Sequence, residues 1–113
     1  MLAEVKVLDR DRAVEALGRI IRLVEEAHPA VLAWDCYFDV AGERMTWFQE
    51  HTDETTLLAY EEAVADLGVN EELGRSLEFE RLVVLGRVTD PDLLAFFRRF
   101  PAVPAERTLG VSR

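Results

Sequence analysis

Ala3, Val5 and Val7 alternate with Glu4 and Lys6, the period-two pattern of a half-buried strand. Asp9 or Asp11 can cap the next segment, where Ala13, Val14, Leu17, Ile20, Ile21 and Val24 recur at spacings of three and four and predict an amphipathic helix. His28-Pro29 ends it, because the residue before a proline is pushed out of the α region. Residues 31–38 and 45–51 are rich in β-branched and aromatic side chains and flank Asp39-Val40-Ala41-Gly42-Glu43, a turn-forming stretch, so a hairpin is expected. A second helix starts near Thr52 or Asp53 with Leu57, Tyr60, Val64 and Leu67 on one stripe, and Gly68 is placed as its C-cap. Asn70 can cap a short further segment carrying Leu73 and Leu77. Residues 79–88 read as the strongest strand. Thr89-Asp90-Pro91 then puts a cap before a proline at the first position of a short helix bearing Leu93, Leu94, Phe96 and Phe97. Pro104 restricts the tail, 102–111, to an edge strand or one that reaches a partner subunit.

The order β-α-β-β-α-β, followed by a small helix and a terminal strand, predicts an α+β fold: a ferredoxin-like βαββαβ unit whose two long helices cover one face of an antiparallel sheet. The opposite face needs a cover as well. In the first hairpin strand the alternating sets are Leu32, Trp34, Cys36, Phe38 and Val31, Ala33, Asp35, Tyr37. In the second they are Met45, Trp47, Gln49, His51 and Thr46, Phe48, Glu50, and in the last central strand Phe79, Arg81, Val83, Leu85 and Glu80, Leu82, Val84. Both faces carry large apolar groups, where a sheet with one wet face would alternate more cleanly. Self-association through the sheet, as an isologous two-fold dimer, is the simplest cover.

With 113 residues, half of them apolar, the chain is expected to form one domain over 1–113 and to bury about two thirds of its unfolded surface without disulfides or a structural metal. Its net charge of −9 repels phosphate backbones and anionic bilayers, so neither nucleic acid nor membrane is expected as a partner. Cys36 is the single cysteine, and the N-terminus lacks the basic and apolar runs of a signal peptide; a cytoplasmic location is therefore expected. The acids concentrate between Glu50 and Glu80, where Arg75 is the one basic residue. Such a run ordinarily solvates helix faces, the alternative being a docking surface for a basic partner.

His28-Pro29-Ala30-Val31-Leu32-Ala33-Trp34-Asp35-Cys36-Tyr37-Phe38-Asp39 with Gly42, then Trp47-Phe48-Gln49-Glu50-His51-Thr52-Asp53-Glu54 with Leu57-Leu58-Ala59-Tyr60, resembles the antibiotic-biosynthesis monooxygenase-like branch of the dimeric α/β-barrel superfamily. The resemblance runs from about Val5 to the end of the chain. It implies two ferredoxin-like protomers whose sheets face each other around a barrel, and in some members an oxidation of phenols or quinols by molecular oxygen without any cofactor. Glu50 falls on the strand Glu of that family, while Tyr60 stands where monooxygenase members commonly carry a helix histidine, Trp34 where a tyrosine is usual and His51 where an aromatic is usual.

The candidate catalytic residues are therefore Glu50, His51 and Tyr60, with Glu50 or His51 as the base and Tyr60 supplying a hydroxyl; as strand neighbours, Glu50 and His51 should point to opposite faces. Trp34, Tyr37, Phe38 and Trp47 are the candidates to line a pocket for a flat aromatic molecule, though aromatics on hairpin strands also serve simply as core and interface. His28 and His51 fit no metal-ligand spacing, and no metal or cofactor is expected. Cys36 reads as a small buried hydrophobe. The absence of a Gly-rich phosphate loop, a Ser-x-Gly elbow and a Cys pair removes nucleotide and acyl-transfer chemistry. Two functions stay open: a homodimer that binds a small apolar or aromatic molecule, with cofactor-independent phenol or quinol oxidation as its chemistry, and a non-catalytic metabolite-binding or protein-assembly module of the same fold.

Overall fold

The computed structural model describes residues 1–86 and 88–100 and, for 102–105, the backbone. Its elements run β1 (Leu2–Val7), α1 (Arg10–Ala27), β2 (Val31–Phe38), β3 (Arg44–His51), α2 (Glu54–Leu67), α3 (Asn70–Ser76), β4 (Leu77–Leu85), α4 (Pro91–Phe97) and β5 (Ala102–Ala105). The sheet order is β2-β3-β1-β4-β5. The first four strands pair antiparallel, and β5 joins the β4 edge in parallel after the α4 crossover. This is the ferredoxin-like α+β arrangement that the element order predicts, extended by one strand.

Local chemistry sets the helix ends. The Asp9 carboxylate accepts from the Arg12 amide at 3.2 Å and starts α1. Asp53 and Thr56 form a reciprocal capping box at the start of α2, and Gly68, at φ +78°, closes that helix in the left-handed conformation that favours glycine. Asp90 accepts from the Asp92 and Leu93 amides with Pro91 at the first helical position of α4. The α3 helix differs from expectation: Asn70 is its first residue, and the cap position belongs to Val69, which makes no side-chain cap bond and is wholly buried. Burial of Val69 fixes that start.

Two bulges correct the simple alternation of faces. Between β1 and β4 the register runs Glu4 opposite Arg81, then Val5 opposite Phe79, so Glu80 is an extra residue. Leu77, Phe79, Leu82 and Val84 consequently all pack toward the helices, although strict alternation would part Phe79 from Leu82. A second bulge, between Val31 and Ala33, leaves Leu32 61% exposed instead of beside Trp34 and Cys36. The β4 strand also begins two residues earlier than expected and ends at Leu85, before Gly86 at φ +108°.

The core lies between the sheet and the helices. Ala13, Leu17 and Ile20 of α1 and Leu57, Tyr60 and Val64 of α2 pack on Ala3, Val5, Met45 and Trp47, while Leu93 and Phe97 anchor α4. The other sheet face holds Leu2, Phe48 and Val83, partly buried, with Tyr37 and Leu85 exposed and an ion pair between Arg44 and Glu80. Among the described residues no helix is long and apolar enough to cross a membrane.

Candidate functional site

The inward row of β3, Met45, Trp47, Gln49 and His51, contains a polar pair that needs partners, and α2 lays Tyr60 across it. The Trp34 Nε1–H donates to the Tyr60 hydroxyl oxygen at 2.8 Å, and the Gln49 amide Nε2 donates to the same oxygen at 3.3 Å. His51 Nε2 lies 2.9 Å from Gln49 Oε1 and donates to it, because the amide nitrogen of Gln49 is already turned toward Tyr60. The chain Trp34–Tyr60–Gln49–His51 thus joins β2, α2 and β3. The His51 and Tyr60 rings lie 5.1 Å apart, and Trp34 meets Trp47 edge-on at 5.3 Å.

Burial shapes the acid–base character of these groups. His51 is pushed down to about 4 by burial, then by the Met1 ammonium and by His28, so its ring is neutral at pH 7. The Tyr60 hydroxyl is pushed up by burial and next by the charge of Glu61, which outweigh the hydrogen bonds it receives. Burial alone raises the Glu61 carboxyl to about 7. The Cys36 thiol is pushed up to about 12, by burial first and then by Asp35, so it stays a thiol.

Beside this chain of bonds a chamber of about 310 Å³ opens between the sheet and helices α2, α3 and α4. Its walls are mostly apolar: Trp47 and Leu82 on the sheet, Val64 on α2, and Phe79, Phe96 and Phe100 as an aromatic bank, with the Phe96–Phe100 and Phe79–Phe100 centroids 5.2 and 5.4 Å apart. Gln49, Tyr60, Glu61, Asn70 and Arg99 bring polar atoms to it. A few polar groups set in an apolar concavity are what a small-molecule site requires.

The expected site residues divide. Tyr60 and His51 come together through Gln49, whereas Glu50 is exposed on the opposite sheet face and makes no hydrogen bond to either. Of the four expected pocket residues, Trp47 lines the chamber and Trp34 stands behind it, bonded to Tyr60. Phe38 lies at the far end of β2, its ring 5.2 Å from the Arg10 guanidinium carbon, and Tyr37 is exposed on the open face. Glu61, Asn70, Arg99 and the aromatic bank were not among the candidates. Glu61 is hidden in the acidic run, and the bank joins Phe79 to Phe96 and Phe100, about twenty positions further along the chain. The one available signal was Gln49, a polar residue on an otherwise inward-facing row. Among the described residues no group of three His, Cys, Asp or Glu side chains is placed to hold a metal ion.

Sheet, helices and inner chamber define a ferredoxin-like α+β protein. The solved structure of MupZ from Pseudomonas fluorescens is similar over 99% of this chain and 91% of that one, with a TM-score of 0.72 at 20% sequence identity, which shows the shared fold. No protein-family model and no curated protein matches the chain.

Proposed function

We propose that the protein binds a small, flat, largely apolar molecule in the chamber between the sheet and helices α2 to α4. The observation that carries this reading is the chamber itself, about 310 Å³ walled by Trp47, Phe79, Phe96 and Phe100 with the half-buried Glu61 carboxylate on its lining. Cofactor-independent oxidation of a phenol or quinol is the chemistry that suits such a site and the sequence resemblance. Glu61, in place of Glu50 or His51, takes the phenolic proton. Oxidation of a phenol to a quinone then puts one oxygen atom of O₂ on the ring and releases the other as water, the phenolate supplying the electrons. The same reading includes a homodimer through the open sheet face, whose Leu2, Phe48, Val83 and Leu85 make an apolar patch. Thermal shift with a panel of bicyclic phenols and quinols tests the binding. Oxygen uptake by the wild type and by Glu61→Gln tests the chemistry. Stabilisation with Glu61-dependent uptake supports both, stabilisation without uptake leaves a non-catalytic metabolite binder, and no stabilisation by any of them removes the reading.

A further inference from the structure

Helices α2 and α3 bound the chamber and carry Glu54, Glu61, Glu62, Asp66, Glu71 and Glu72 against one cation, Arg75, which is itself paired with Glu71 at 2.7 Å. The chamber therefore lies in a negative field. Glu61 is the one of these carboxylates on its lining, and among the described residues no cation stands within ion-pair distance of it. Around it are aromatic rings: the Trp47–Phe79, Phe79–Phe100 and Phe96–Phe100 centroids lie 6.0, 5.4 and 5.2 Å apart. The face of such a ring is negative and attracts a cation that comes within about 6 Å of its centroid. No protein cation occupies these faces. Among the described residues the one arginine over a ring is Arg10, on Phe38 at the far end of β2. Met1 and Arg99 also line the chamber. The Met1 ammonium is engaged by the Gln49 carbonyl oxygen at 2.6 Å, and Arg99 is exposed, where water screens its pull on an anion.

We propose that the chamber binds a small organic cation, an apolar ring bearing an alkylated ammonium group, with the ammonium against the Glu61 carboxylate and the faces of the aromatic bank. The inference rests on the chamber being the binding site and adds the charge of its occupant; it does not require the oxidation. An alkylated ammonium suits this lining better than a primary one. It is weakly hydrated and loses little on leaving water, and its methyl groups spread the charge over surfaces that touch ring carbons. A primary ammonium needs three acceptors, and one carboxylate in an apolar wall does not supply them. A bound cation favours the ionised form of Glu61, whose carboxyl is raised to about 7 by burial, so binding strengthens as the pH rises through 7. The neighbours from β3 and α3, Gln49 and Asn70, are uncharged, and Tyr60 on α2 is kept protonated by burial. His51, behind Tyr60, is neutral above about 4, and Arg99 keeps its charge throughout. Burial lowers the Met1 ammonium from 8.0, so it sheds its charge in the same direction as Glu61 and has to be separated from it by substitution.

The test compares three benzyl alcohols of one shape that differ in charge: 3-(trimethylammonio)benzyl alcohol, 3-tert-butylbenzyl alcohol and 3-(hydroxymethyl)benzoate, titrated calorimetrically into the full chain. At pH 8 the ammonium should bind about tenfold tighter than its tert-butyl isostere, with the benzoate weakest. Lowering the pH from 8 to 6 should weaken the ammonium about tenfold and leave the isostere within about twofold. Glu61→Gln should bind the isostere as before and lose both the preference and its pH dependence. Phe100→Leu, which keeps an apolar wall and removes a ring face, should reduce the preference severalfold; circular dichroism checks that both variants fold. Equal affinities for ammonium and isostere, or tighter binding of the benzoate, overturn the cation inference and leave the binding reading standing. A preference that survives in Glu61→Gln overturns the role given to that carboxylate. Binding of none of the three at millimolar concentration overturns the inference and counts against the chamber as a binding site.

Discussion

Trp34 on the edge strand β2 and Tyr60 on helix α2 are joined by an indole-to-hydroxyl hydrogen bond of 2.8 Å, the direct polar tie between that strand and the helix above it. Tyr60→Phe removes the acceptor and leaves the Trp34 N–H and one Gln49 N–H unpaired in the interior. The expected cost is about 2 kcal/mol, since a buried donor without a partner forfeits its hydration. A domain of this size should then melt about 8 °C lower, taking roughly 4 °C per kcal/mol; scanning calorimetry reads it. An unchanged melting temperature would show that these donors find other partners.

Glu61 and His51 make opposite contributions to the pH dependence of stability. Glu61 titrates near 4.5 when unfolded and about 7 when folded, so its contribution is full below pH 4.5 and is lost as the pH rises through 7. His51 titrates near 6.5 unfolded and about 4 folded, so its contribution is full above pH 6.5 and is lost as the pH falls through 4. In the wild type the two slopes largely offset between pH 4.5 and 6.5. Glu61→Gln should unmask a stability that climbs with pH across this window, and His51→Gln one that declines. Urea unfolding at half-unit pH steps distinguishes the two, and parallel profiles for both variants would contradict the assignment.

The Glu54 carboxylate at the start of α2 clasps the loop before α4, accepting from the Thr89 amide at 2.5 Å, the Thr89 hydroxyl at 3.1 Å and the Asp90 amide at 3.1 Å. Glu54→Ala should cost about 1–2 kcal/mol and loosen α4 more than the sheet. Hydrogen exchange should quicken at the α4 amides while β1 and β3 keep their protection. Uniform quickening throughout would mean that the clasp supports the whole fold instead.

Phe48 and Val83 lie on the open sheet face, each beside Leu2 through its strand pairing. If two copies meet there, wild-type protein should sediment as a dimer at micromolar concentration, and Phe48→Lys, which places an unpaired charge at the contact, should sediment as a monomer with an unchanged far-ultraviolet spectrum. A monomeric wild type would remove the sheet-to-sheet dimer.

The ordered elements were legible because each is written locally: Asp9, Asp53 and Asp90 as caps, Gly68 as a stop, and apolar spacing in between. The face pattern of β4 was not, because the extra residue Glu80 is defined by its register with β1 and has no mark of its own. The same holds for the chamber. Tyr60 and His51 could be picked out as chemistry-bearing residues, but Gln49, which links them, carries meaning only once β3 is seen beneath α2. Glu61 looks like any solvated helix acid until α3 and α4 close around it.

Residues 91–100 lie outside the β-α-β-β-α-β unit, yet they furnish two of the three aromatic rings of the chamber's bank. Leu93 and Phe97 moor this segment in the core, while Phe96, Arg99 and Phe100 turn toward the enclosed space. Strand pairing does not depend on those three positions. Selection can thus retailor what the protein accommodates by altering a few side chains on an appended stretch, with the sheet and its folding left as they are.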